Sequence, residues 1–141
     1  LLATWSFTHR AAGRFGEGHI GHVSEAVKHY RSWLKESERG IICGDFNNSV
    51  IWDKSNKESN FKETNESLNT LGYQSAYHKL TNEEFGKEKQ GTLYHTKNKD
   101  KPYHIDYVFL KGIEPETIAI GSYEDWISLS DHVPVTVITT I

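Results

Sequence analysis

The sequence predicts an α/β or α+β layered domain, with strands recurring around two helices. Three observations predict it. Short apolar runs rich in β-branched and aromatic residues recur along the chain. Two stretches between them carry apolar residues at helical spacing. Near the end, Ile105, Tyr107 and Phe109 alternate with His104, Asp106 and Val108, the period of a strand with one buried face. The chain has 141 residues, 36% hydrophobic and 12% aromatic, which suits a single folded domain over 1–141.

The elements follow in order. Leu1 to Phe7 reads as a strand closed by Thr8-His9-Arg10. A loop with Gly13, Gly16, Gly18 and Gly21 comes next and lacks the strand–GxGxxG–helix order of a dinucleotide site. Val23, Val27, Tyr30 and Leu34, widened by Ala26 and Trp33, predict one helix, with Gly40 past its end. Ile41 to Cys43 is a short strand ending at Gly44-Asp45, and the polar residues 48–60 read as a loop. Phe61, Leu68 and Leu71 predict a second helix stopped by Gly72, with a weak strand over Gln74–Tyr77. Residues 81–103 read as exposed, mobile loops broken by a strand at Thr92–His95. Residues 104–110 and 133–141 are strands, so the chain is expected to end in a strand pair.

Composition excludes several classes of function. No stretch approaches the roughly 20 apolar residues of a membrane span, and no basic segment precedes an apolar run as in a signal peptide. A single Cys43 excludes an internal disulfide framework and a multi-cysteine zinc site; its apolar run predicts a buried strand residue, with a reactive thiol the alternative. The net charge of −3 gives no global positive field. The charge is uneven, however: residues 104–141 hold six acids and one lysine. Such a cluster suits a hard cation, or it is an ordinary solvated surface. The chain contains no Met and opens as a strand in progress, which predicts that it belongs to a longer protein.

Chemistry concentrates at three strand ends. Asp45 and Asn47 directly follow a buried strand. A carboxylate and a carboxamide two residues apart can serve one phosphate, although both residue types also build turns. Asp131-His132 precedes the final strand: the Asp can bind a metal and the His can contact a phosphoryl oxygen, or the pair can be a turn with an exposed His. Asp106 lies inside an apolar strand, where a charge needs a partner. That partner can be an imidazole that it orients, or a purely structural cation. His9 closes the first strand at a similar position. His19-x-x-His22 has ligand-like spacing without a third ligand nearby. Ser130 has no nucleophile elbow around it and adjoins His132 too closely for a triad.

Taken with these residues, the chain resembles the C-terminal part of the endonuclease/exonuclease/phosphatase superfamily. That superfamily includes DNase I, abasic-site endonucleases, sphingomyelinases and inositol-phosphate 5-phosphatases. The resemblance rests on Thr8-His9, Gly44-Asp45-Phe46-Asn47, Ile105-Asp106-Tyr107 and Ser130-Asp131-His132-Val133-Pro134-Val135, in family order, and covers essentially the whole chain. It implies part of a DNase I-like four-layer α/β sandwich and a metal-dependent phosphoesterase, most simply a nuclease, using Mg²⁺ or Mn²⁺. By the same resemblance, Asp45 manages the proton of the attacking water or leaving group and also serves the metal. Asn47 stabilises the phosphorane, Asp131 places the metal, and His132 contacts the scissile phosphate, oriented by Asp106. His9 is the second phosphate-side imidazole.

The family's amino-terminal half supplies an Asn and a metal-binding Glu before the strand that ends in His9. No residue here precedes that strand, so the resemblance implies that the chain alone is inactive and self-associates through an uncovered surface near Trp5, Val135 and Val137. The rival readings are a non-catalytic binding module on the same scaffold and a lipid or inositol-phosphate phosphatase. The expected partner is a phosphate ester, with DNA or RNA suggested by Lys87, Lys89, Tyr94, Lys97, Lys99, Lys101 and Tyr103.

Overall fold

The structure, a computed structural model, describes residues 1–7, 22–53 and 61–140. The glycine-rich stretch, His9 and His19 lie outside the described residues. In chain order the elements are β1 (Leu2–Trp5), α1 (His22–His29), α2 (Arg31–Glu36), β2 (Gly40–Asp45), α3 (Phe61–Thr70), β3 (Gln74–Ser75) and α4 (Ala76–Thr81). They continue with β4 (Leu93–Tyr94), β5 (Pro102–Tyr103), β6 (Asp106–Lys111), β7 (Glu114–Ile120), α5 (Tyr123–Trp126) and β8 (Val135–Thr140). The domain is therefore mixed α and β, with helices and several sheets, as the sequence predicts. Among the described residues no helix is long and apolar enough to cross a membrane.

The central sheet has the order β1-β2-β6-β3. Strand β1 runs parallel to β2, while β6 pairs antiparallel with both β2 and β3. One face of the sheet is the core. Ile42, Tyr107 and Phe109 point there and meet Val23, Val27 and Leu34 of the first two helices and Phe61 and Leu68 of α3. Phe46, fully buried, packs its ring 5.4 Å from that of Tyr107 and 6.1 Å from that of Phe61. Burial of each such aromatic side chain contributes roughly 1.5–3 kcal/mol, so the alternation at 105–109 is read out directly as packing. The opposite face carries Trp5, Asp45 and Asp106 in one row, because Trp5 pairs with Asp45 and Asp45 with Asp106. Trp5 is 78% exposed there, whereas Val135 and Val137 are half-buried.

Local chemistry sets the helix limits. The Asp53 carboxylate accepts the amides of Phe61 and Lys62, each at 2.7 Å, and so satisfies two orphan donors at the start of α3. Gly72, at φ +90°, ends it in the left-handed conformation, with Tyr73 N–H returning to the Leu68 carbonyl at 2.9 Å. The helix expected over 23–34 is divided at Tyr30 (φ −90°, ψ 9°). The division is slight, since Tyr30 N still bonds Ala26 O and Leu34 N still bonds Tyr30 O.

Three expectations differ from the structure. The predicted terminal strand pair does not form: β6 joins the central sheet, and β8 pairs instead with β7. Strand β7 escapes the sequence reading because it contains Pro115 and two glutamates and is largely exposed. The weak strand at 74–77 is only two residues long before α4 begins. The loops at 81–103, read as exposed, hold a buried knot. His78 Nε2 meets Glu88 Oε1 at 3.1 Å with both side chains nearly buried, and the His78 ring stacks on Phe85 at 3.5 Å.

Candidate metal-binding and catalytic site

The site forms where β2 and β6 end together. Gly44, at φ +133°, lets the β2 backbone pass against β1 just before Asp45. Asp45 Oδ1 then accepts the Asn47 amide at 2.7 Å, which bends the chain into a turn with Asn47 at φ +45°. The turn reading of Asp45-x-Asn47 is thus realised, and it fixes the Asp45 carboxylate at the sheet end. The Asn47 side chain donates to the Phe7 carbonyl at 3.4 Å, beside the end of β1. Asp106 opens β6 directly opposite Asp45.

His132 arrives from a separate segment. Its backbone amide is accepted by Ser130 Oγ at 3.0 Å, and it bridges Leu93 of β4. The segment is a turn followed by irregular backbone, so the opposite-face rule for adjacent strand residues does not apply to Asp131 and His132. The His132 ring lies against Asp106, with Nδ1 and Oδ2 3.0 Å apart. Ligand atoms of Asp45, Asp106 and His132 all lie within 4.8 Å of one another, and the three residues are half-buried. Asp131 is not one of these three. It acts on Asp45 and His132 by charge, and its carbonyl accepts the Tyr94 amide at 2.7 Å.

Burial, hydrogen bonding and neighbouring charge all bear on the ionisation of Asp45 and His132. Burial raises the Asp45 carboxyl above its ordinary value; Asp106 and Asp131 add to the rise, and the Asn47 amide and His132 oppose it. The hydrogen bond to Asp106 raises the His132 imidazole, burial opposes it, and the neighbouring carboxylates add to the rise. A histidine raised in the folded state contributes stability that is fully present below its ordinary pKa of 6.5 and lost as the pH climbs through the folded value. His132→Gln is therefore expected to lower stability by about 0.5–1 kcal/mol near pH 5.5 and by less near pH 8.5. Urea midpoints at the two pH values measure this. A gap that widens toward pH 8.5 contradicts the pairing.

The structure brings together three of the sequence-predicted site residues, Asp45, Asp106 and His132. Asn47 and Asp131 stand on their flanks, and His9 lies outside the described residues. One residue was missed. Thr92, fully buried, accepts the amides of Ile105 at 3.1 Å and Asp106 at 3.0 Å on its hydroxyl. Its carbonyl accepts the Val133 amide at 2.8 Å. No spacing rule marks a threonine that serves backbone amides across a fold. Of the lysines expected to grip a substrate, Lys87, Lys89 and Lys99 pair with Glu84, Glu83 and Glu124, which weakens their pull on a polyanion.

The chain, compared with models of known protein families and with curated proteins, finds no match.

Proposed function

We propose that this chain is the catalytic part of a metal-dependent phosphoesterase of the endonuclease/exonuclease/phosphatase kind, most simply a nuclease. The observation that carries the reading is the meeting of two carboxylates and an imidazole from residues 45, 106 and 132 at one sheet end. Three separated segments converge there, and burial, with Asp106 and Asp131 beside it, raises the Asp45 carboxyl. Perturbed carboxylates gathered in this way concentrate at functional sites.

The donor set fits a divalent cation. Carboxylate oxygens suit Mg²⁺ or Mn²⁺, and a cation would offset the burial and like charge that raise Asp45. Asp45 would hold it, with Asp106 engaged by His132; Asp131, which the resemblance assigns to the metal, stands outside the three. The bound ion supplies charge neutralisation at the phosphate and a more acidic water. The chain's own residues do the rest. Asp106 holds the imidazole by Nδ1, which leaves Nε2 to meet a phosphoryl oxygen or carry a proton. Asp45 takes the proton of the attacking water or passes one to the leaving group. Asn47 donates its amide to a non-bridging oxygen.

The test is turnover by the full-length protein with Mg²⁺ or Mn²⁺ on duplex DNA, RNA and a phosphoinositide. Metal-dependent hydrolysis of at least one is expected. Asp106→Asn should reduce kcat by about 10²–10⁴-fold and leave the fold intact. Equal turnover by the variant would show that the Asp106–His132 pair is structural, and the absence of any hydrolysis would end the reading.

A further inference from the structure

We propose that Thr92 is a positioning residue that holds Asp106 and His132 at hydrogen-bonding distance from each other. The inference rests on the reading of the site as a phosphoesterase centre. Asp106 and His132 belong to segments with no strand pairing between them: β6 pairs with β2 and β3, and β8 pairs with β7. Something else must set their separation, and a 3.0 Å bond requires it to within a few tenths of an ångström.

Thr92 touches both sides. Its hydroxyl accepts the amides of Ile105 and Asp106, the residues that begin β6. In a regular sheet those donors would go to a neighbouring strand. Strand β3, the second neighbour of β6, pairs with Phe109 and Leu110 and goes no further, so a side-chain oxygen stands in for a strand carbonyl. The Thr92 carbonyl accepts from Val133, the residue after His132. Its own amide donates to Tyr103 at 2.8 Å, which anchors it to β5. The next residues repeat the clasp, since Leu93 bridges His132 and Tyr94 N–H bonds the Asp131 carbonyl.

The consequence is specific to the hydroxyl. The backbone bonds from Thr92 to Val133 and Tyr103 survive any substitution other than proline. The two bonds to Ile105 and Asp106 need an oxygen on the β-carbon. Valine has the shape of threonine without that oxygen. Thr92→Val thus leaves the buried Ile105 amide and the partly buried Asp106 amide without this acceptor and frees the start of β6 to shift. Serine keeps the oxygen and loses a methyl. Supporting groups of this kind affect turnover when the geometry slips by a fraction of an ångström.

The experiment compares Thr92→Val and Thr92→Ser in the full-length protein. For Thr92→Val, kcat is expected to fall by about 10–100-fold with KM changed less than about threefold. Thr92→Ser is expected to retain most of the turnover. A second readout needs no activity: the His132 ring Nδ1–H resonance in metal-free protein at fixed pH. It should be present in wild type and Thr92→Ser, and shifted or broadened away in Thr92→Val. If Thr92→Val does not fold, Thr92→Cys, whose sulfur is a weak acceptor, carries the same expectation for both readouts. An unchanged ring resonance and kcat in the valine or cysteine variant overturn the proposal. So does a serine variant as impaired as the valine one, which assigns the effect to packing. A wild-type protein that hydrolyses no phosphate ester sinks the phosphoesterase reading, and the ring resonance still decides the role of Thr92.

Discussion

Asp45→Asn is expected to abolish most phosphate-ester turnover and to make the protein more stable. The two effects have one cause. The ionised Asp45 carboxylate sits half-buried beside Asp106 and Asp131, and burial and like charge together raise its pKa. For an acid raised in the folded state, the charge opposes folding at neutral pH, and the opposition fades as the pH falls through the folded value. An amide removes the charge. It keeps an oxygen that can accept the Asn47 amide, so the turn at the end of β2 survives. Stability at pH 7 should rise by on the order of 0.5–1 kcal/mol, with the gap to wild type closing toward pH 4. Turnover should drop by about 10²–10⁴-fold, the range for losing a proton-transfer group. Urea melts at both pH values and a metal-activated assay measure the pair of effects. A variant that is less stable yet fully active would mean that Asp45 is only a turn residue.

The second large effect is purely structural and lies one residue away. A β-carbon on Gly44 would sit 2.0 Å from the Thr4 carbonyl oxygen. Thr4 is the register partner of Gly44 in the parallel β1–β2 pair, so the obstacle is backbone that can yield only by opening the sheet. The φ of +133° adds strain for any residue with a side chain. Gly44→Ala is expected to destabilise the protein by about 3 kcal/mol or more. Gly72→Ala is the control: it too has positive φ, but its nearest neighbour is the end of the Lys111 side chain at 3.4 Å, and a loss near 1 kcal/mol is expected. Denaturant midpoints separate the two. A Gly44→Ala protein within 0.5 kcal/mol of wild type would show that β1 does not need its close approach to β2.

What was legible in the sequence follows from what leaves a local trace. The alternation of Ile105, Tyr107 and Phe109 is a local trace, and all three are buried. Periodic Val23, Val27 and Leu34 are another, and all three join the core. Asp45, Asp106 and His132 could be named because a charge or imidazole at the end of an apolar run is visible without coordinates. Strand β7 was not legible: most of its residues face solvent, so its glutamates and proline erase the apolar signature. Thr92 was not legible because its role lies in accepting amides from residues thirteen and fourteen positions away. The pairing of β8 with β7 rather than β6 depends on chain geometry, which composition does not encode.

The distance along the chain between the members of the Asp45, Asp106 and His132 group has a kinetic meaning. Asp106 and His132 are 26 positions apart, and Asp45 is further from both. Closing such loops costs entropy before any contact repays it, so contacts of this kind form late in folding and slow it. The site then comes into being with the completed sheet rather than with any one segment. Loss of the sheet is therefore expected to erase the site. A ligand that bridges the three side chains ties together the whole of β2, β6 and the 130–133 segment. Its binding energy should therefore register as a rise in the midpoint of global unfolding. A thermal-shift screen of metal ions and phosphate compounds is in consequence a direct way to find what the site holds.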